Sequence, residues 1–316
     1  MRSGAERLID GLLEATIVGS FTLVGPAVRR RFAQWGDDEA MSPGSLDGEV
    51  VVVTGGTSGL GRAAAVMLGR LGAAVEVVGR DVERGEQVVA DLDDVGATGR
   101  MRHADLADND SVRELVDALA ADHGRIRAVV HSAGALLPER RLNGAGVEIT
   151  WASMVVGPHL LTRLLADRLD RAVWVSSGGM YAQAVDLDDL SWERRQWSGS
   201  KAYAQAKRAQ VDLVAEAAER GESPLQVAMH PGWADTPGVE ASLPGFRKVM
   251  GPLLRTPECG ADTIVWLTAA SGERLDPGAF YLDRRPRGTV RWPGTATSTA
   301  DRVLLRSIVD TQAALT

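Results

Sequence analysis

The chain is poor in cysteine, lysine and aromatics: one Cys, three Lys, three Tyr and four Phe in 316 residues. A lone thiol, Cys259, can close no internal disulfide, so nothing asks for an oxidising compartment and a cytoplasmic setting is expected. Basic excess is also missing. The net charge is −7, which speaks against a nucleic-acid binder, because neutralising phosphates needs a basic surface. The five histidines, His103, His123, His131, His159 and His230, do not fall at metal-ligand spacings with Cys or acids, so no metal is expected.

A clean transmembrane run is lacking as well. The most apolar stretch, 8–28, is about long enough to span a bilayer. It carries Asp10, Glu14, three glycines and Pro26, and it ends in Arg29-Arg30-Arg31. Acids inside the run weaken insertion, and its charge placement is not that of a signal peptide. Two readings stay open for residues 8–31: a helix packed over the main domain, or an interfacial helix touching a membrane surface with an arginine collar. The expected organisation is a helical extension and polar linker over 1–45 (Gly36-Asp37-Asp38-Glu39 and Ser42-Pro43-Gly44-Ser45), one domain over 46–285, and a tail over 286–316.

What is present is 45% hydrophobic residues, 24% charged residues and 35 glycines, the balance of a globular α/β chain. Val50–Val53 is a continuous β-branched run, as a strand buried on both faces requires. Further strands are expected at Ala74–Val78, Arg100–His103, Ala128–His131, Ala172–Ser176, Leu225–Met229 and Ala279–Leu282. Helices are expected over Ala63–Leu71, Val82–Leu92, Ser111–Ala121 (capped by Asp110 or Ser111), Gly146–Leu169, Ala202–Glu219 and Pro257–Ala270. The span Asp283–Thr299 reads as irregular and Ala300–Ala314 as a closing helix. Strands alternating with helices mean a Rossmann-like doubly wound parallel sheet in a single domain.

Thr54-Gly55-Gly56-Thr57-Ser58-Gly59-Leu60-Gly61 lies between the first strand and the first helix. Such a turn brings backbone close to a pyrophosphate and aims a helix N-terminus at it. The spacing, T-G-x-x-x-G-x-G, resembles that of the short-chain dehydrogenase/reductase superfamily. Other segments agree in order: Asp105-Leu106 after strand three, His131-Ser132-Ala133-Gly134 after strand four, Ser176-Ser177 after strand five, Tyr203-Ala204-Gln205-Ala206-Lys207 as Y-x-x-x-K, and Pro231-Gly232 with Thr236 after strand six. With three Tyr and three Lys in the chain, composition alone gives about 0.03 expected Y-x-x-x-K matches. Val175-Ser176-Ser177-Gly178-Gly179-Met180 and Met229-His230-Pro231-Gly232-Trp233 resemble the retinol-dehydrogenase-like branch that includes dehydrogenase/reductase member 12.

The resemblance implies a nicotinamide dinucleotide held by Gly55, Thr57, Ser58, Gly59, Leu60, Gly61, Asp105, Leu106, Ser132, Ala133, Gly134, Pro231, Gly232 and Thr236, with Tyr203 and Lys207 against its ribose. It implies Tyr203 as acid/base, Lys207 as the group that lowers its pKa, and Ser177, rather than Ser176, on the substrate oxygen. Arg80, at the end of strand two, takes the position that selects the 2′-phosphate, so NADP is expected over NAD. Arg62 could add a second contact. The substrate is expected to be a lipophilic carbonyl or alcohol, beside a mobile lid of Val239, Leu243, Phe246, Val249 and Met250, with Trp233 and Met180 near it. An NADPH-binding regulatory or scaffold protein with little activity is the alternative. In the family an Asn stands on the helix before strand five; here that place falls on Met154, with Asn143 too far upstream and Ser153 a neighbour that could substitute. Arg208, Asp212, Glu216 and Glu219 put charge on the helix face through which relatives dimerise, which leaves monomer and homodimer open and calls for a solvated or tail-covered face.

Overall fold

A computed structural model of the chain describes residues 10–14, 16–32, 39–134, 136–242 and 244–315. The start of the apolar stretch at residues 8–9, Gly36-Asp37-Asp38 of the linker and Leu243 of the expected lid lie outside these, as do the side chains of Val239 and Phe246. One eight-stranded sheet runs β3-β2-β1-β4-β5-β6-β7-β8. Its strands are β1 Val50–Thr54, β2 Ala74–Gly79, β3 Gly99–His103, β4 Ala128–His131, β5 Arg171–Val175, β6 Leu225–Met229, β7 Phe280–Leu282 and β8 Arg285–Arg287. The first seven are parallel, with Val51 paired to both Val75 and Ala128; β8 is antiparallel to β7. The order reverses between β1 and β4, and the crevice beyond their carboxyl ends is where a doubly wound sheet takes its ligand.

Helices cover both faces. On one, α3 Gly59–Arg70, α4 Val82–Asp94 and α10 Pro257–Ala269 bury Leu68, Val88 and Ile264 against Val51, Val53 and Val75. On the other, α5 Asn109–Asp122, α6 Gly157–Leu164, α7 Gly199–Glu219 and α11 Thr299–Gln312 bury Leu119, Leu160, Leu213 and Leu305 over Val52 and Val129. Before and between them lie α1 Ile17–Phe21, α2 Val24–Phe32, α8 Pro237–Ser242 and α9 Pro244–Met250. Two expectations need correction here. The cap of α5 is Asp108, whose carboxylate accepts the Asp110 N–H. The helix expected over Gly146–Leu169 is broken into a turn at Ile149–Trp151, a π-helical turn at Ala152–Val156 and then α6.

The span expected to be irregular contains β8. Asp283 and Arg284 make the two-residue loop between β7 and β8, both in the left-handed region at φ 53° and 55°. Such a turn usually takes Asn-Gly or Asp-Gly, and two residues with a Cβ there cost energy. The compensation is tertiary. Asp283 is buried and accepts from Arg255 Nη1 at 2.6 Å and Nη2 at 3.2 Å, and from Arg29 Nη1. Arg29 also reaches Asp10 at 2.9 Å and Glu14 at 2.7 Å, and Arg287 and Arg291 pair with Asp10 and Glu14. Breaking one partner of a buried pair typically costs about 3–5 kcal/mol. The two acids that argued against membrane insertion are therefore partners of buried arginines, and the described part of the extension packs over the domain. Arg29 is not in a solvated collar. No helix among the described residues is long and apolar enough to cross a membrane.

The tail lies on α7. Arg208 donates to the Thr289 carbonyl at 2.6 Å, Thr297 to Asp212 at 2.6 Å and Arg306 to Glu216 at 3.1 Å, and Arg302 pairs with Glu219. The charged face is thus covered by the chain itself.

Candidate active site

The dinucleotide half is made largely of backbone. Gly55, at φ 66°, sits so close to the β4 loop that a Cβ would stand 2.6 Å from the Ala133 Cα. At Gly61 a Cβ would lie 2.2 Å from the Gly55 carbonyl oxygen, so helix and strand could not approach as they do. Ser58 is the N-cap residue of α3 in extended conformation, yet its hydroxyl does not cap the helix. The first-turn N–H groups of Gly59, Leu60 and Gly61 thus receive no cap from Ser58, and such a helix end suits an anion. Thr236 of the loop after β6 closes over Gly59, 3.5 Å from where its Cβ would be, and Thr57 packs on Gly79 at the end of β2.

Arg80 follows Gly79 and is 68% exposed, with Asp105 at 4.0 Å. Asp81 caps α4 by accepting the Arg84 N–H at 3.0 Å, so the acid of this pair is committed and the guanidinium is displayed. Asp105 accepts from the Ala107 N–H, and Leu106 is buried with its carbonyl against Gly157. Ser132 donates its N–H to Thr54, and Gly134 faces Lys207. Arg62 does not join this set: it pairs with Asp91 at 2.7 Å, toward α4.

The reactive half is made of side chains. Ser198 stands at the N-cap position of α7 in extended conformation, and the helix then places Tyr203 and Lys207 one turn apart on one side. Burial raises the Tyr203 pKa, and the neighbouring Ser177 side chain partly lowers it. Lys207 is buried, donates from Nζ to the Val175 carbonyl at 2.7 Å and lies 5.5 Å from the Tyr203 ring centre. Burial brings its pKa down to about 7. Ser176 is buried and donates to the Lys207 carbonyl at 2.7 Å, which ties the end of β5 to α7 and leaves Ser177 beside the tyrosine.

Met154 lies on the stretch before β5, close to Gly134 and Lys207. A Cβ at Gly134 would meet Met154 Cε at 3.2 Å and Lys207 Nζ at 3.5 Å, so a thioether fills the space next to the ammonium. It sits inside the π-helical turn, and its carbonyl accepts from Gln210 Nε2 at 2.7 Å. Ser153 donates to the Ile149 carbonyl at 2.7 Å and Asn143 to the Ala107 carbonyl at 2.7 Å, so neither hydroxyl nor amide is turned to a proton relay. Met180 is fully buried with its sulfur against Arg208, whereas Trp233 is half-buried. Val249, on α9, is 77% exposed. His131 is buried against Trp174, bonds Thr162 and is held to about 3 by burial, so it is a neutral structural residue. Sequence reasoning missed Phe21 and Arg255, which reach the loop after β6 from other elements; no local pattern marks either.

This geometry, a glycine turn at the switch point with tyrosine, lysine and serine at the ends of β5 and α7, is matched by a family model, short chain dehydrogenase, over residues 49–243. The chain belongs to that family. Within it, the chain is 35% identical over 261 residues to human dehydrogenase/reductase SDR family member 12, covering 80% of this chain and 82% of that one. It is 30% identical over 259 residues to human retinol dehydrogenase 13, covering 77% and 78%. Among solved structures, an uncharacterized protein from Mycobacterium paratuberculosis superposes with a TM-score of 0.70 at 26% identity, over 87% of this chain and 97% of that one. Membership makes the chain an oxidoreductase of the nicotinamide-dinucleotide-dependent kind in the branch of those relatives.

Proposed function

We propose that the protein interconverts a lipophilic carbonyl compound and its alcohol with NADP(H), Tyr203 being the acid/base. The observation that carries this reading is Tyr203 beside Ser177 with the buried Lys207 one helical turn away. Bound nicotinamide supplies or accepts the hydride. Ser177 and Tyr203 then hold the substrate oxygen between two hydroxyls, and Tyr203 gives it the proton in reduction or takes it in oxidation. Lys207, when protonated, favours the tyrosinate that this exchange requires. The glycine turn, Ser58 and Thr57 hold the pyrophosphate side. Arg80 and Asp105 flank the adenosine side, and Ser132, Ala133, Gly134, Pro231, Gly232 and Thr236 line the nicotinamide side. Arg80 supports NADP, because a guanidinium matches phosphate geometry.

An apolar substrate is supported by the partly exposed Trp233 and by Val249 on the helices that follow it. A relative named for retinol points the same way. The test is NADPH oxidation by the purified protein across a panel of lipophilic and charged carbonyls, with Tyr203→Phe beside it. Turnover of lipophilic ketones or aldehydes, lost by about a thousandfold or more in Tyr203→Phe with NADPH binding kept, is expected. Normal NADPH binding with no turnover on any carbonyl would favour the scaffold reading instead.

A further inference from the structure

Phe21 ends α1 and is 2% exposed. Its ring stands edge-on to His230, centroids 4.4 Å apart, and edge-on to Trp233 at 5.8 Å. The ring also packs directly on Gly178, the residue after Ser177: a Cβ there would lie 2.6 Å from Phe21 Cε2. The Phe21 carbonyl accepts the Trp233 N–H at 2.7 Å and Arg255 Nε at 3.1 Å. It stands 2.6 Å from where a Cβ of Gly232 would be. One residue of the extension therefore touches both the turn that carries Ser177 and the loop that carries Gly232 and Trp233.

The contact is fixed from behind. Arg255 donates Nη2 to the Ser20 carbonyl at 2.7 Å while it pairs with Asp283. The Arg291 guanidinium lies over the Phe21 ring at 5.3 Å and the Tyr181 ring at 4.8 Å, an attractive cation–π geometry. Arg291 is itself held by Glu14 at 2.6 Å. The charged knot thus sets the depth of the ring, and the ring sets two loops.

We propose that Phe21 is a positioning residue of the active site: the N-terminal extension, through this ring, fixes the Ser177–Gly178 turn relative to Trp233 and so orients the carbonyl end of the substrate. The inference rests on the reading of Ser177 and Tyr203 as the reactive pair. Displacements near 1 Å in such groups cost about a hundredfold in rate. The phosphate-binding turn over 55–61 does not touch Phe21 in any contact described above, and Gly232, on the nicotinamide side, is met by the Phe21 backbone carbonyl, which a side-chain substitution keeps.

The experiment uses the full chain, a bulky aromatic ketone and a small aliphatic ketone. Phe21→Ala is expected to lower kcat about tenfold or more and to shrink the preference between the two ketones, with NADPH affinity within about twofold. Phe21→Met, which refills the volume, should recover most of the loss. Gly178→Ala drives a methyl into the ring from the other side and should lower kcat alone, yet add little to Phe21→Ala, since the clash is then gone. This pair keeps the question answerable if Phe21→Ala does not fold. A folded Phe21→Ala or Gly178→Ala protein with kcat, KM and ketone preference unchanged would overturn the inference. With Tyr203→Phe inactive, that result removes the role of Phe21 alone; a fully active Tyr203→Phe removes the reactive-pair reading with it.

Discussion

The two halves of the site are built differently. The phosphate-binding turn of the dinucleotide half is local. It lies with its helix N-terminus within residues 54–61, and its geometry follows from four glycines, Gly55, Gly56, Gly59 and Gly61, where a Cβ cannot stand or φ is positive. The substrate half is assembled from the end of β5, α7, Trp233 after β6 and the N-terminal extension, and side chains make most of it. The comparison teaches that binding and chemistry can be perturbed separately. A change in the first half should move dinucleotide affinity, and one in the second should move turnover.

After the loss expected at Tyr203, the largest effect is at Met154. A thioether is a weak acceptor and donates nothing, and here it fills the space beside Lys207. Met154→Asn should raise turnover of a carbonyl about ten- to a hundredfold, about 1.4–2.8 kcal/mol in barrier, with NADPH affinity unchanged. Single-turnover kinetics would show this, and an unchanged or lower rate would mean that protons reach Tyr203 by another route. On the other side of the divide, Arg80→Ala should weaken NADPH about tenfold and leave NADH nearly untouched. Equal losses for both, by titration calorimetry, would remove Arg80 as the selector.

The smallest effect expected concerns Lys207, where the halves meet. Its folded pKa of about 7 lies below the ordinary lysine value of about 10.4. Between these the unfolded chain binds more protons, so the lysine costs stability most below pH 7, and the cost fades as pH rises towards about 10. The free protein with Lys207→Met should therefore be more stable than wild type at pH 7, by about 1 kcal/mol or more, and this gap should narrow at pH 9. Urea unfolding at the two pH values checks it; a gap that widens with pH contradicts the sign.

Much of the sheet was legible because β1 is a continuous β-branched run, β2, β4 and β6 are mostly apolar, and glycine marks the first turn. The strand β8 was not, since its hairpin loop is Asp283-Arg284 with no glycine, stabilised by Arg29 and Arg255 from distant parts of the chain. The π-helical turn around Met154 was not legible either, because Ala152–Val156 reads as ordinary helix when its neighbours are unknown. Among site residues, Tyr203, Lys207 and the glycine turn carry their spacing in the sequence, whereas Phe21 is one ring in an extension with no pattern around it.

Sequence by itself determined the family, the doubly wound parallel class of the sheet and the candidate groups, because each depends on periodicity or short-range spacing. Tertiary structure alone decided where the two ends of the chain go. The arginines that follow the apolar stretch could have faced a membrane or a protein core. Asp283 made the choice for Arg29, since a buried guanidinium needs a carboxylate within hydrogen-bond reach, and that carboxylate lies 254 residues away. The same holds for α7, whose Asp212 and Glu216 are covered only because Thr297 and Arg306 of the tail reach them.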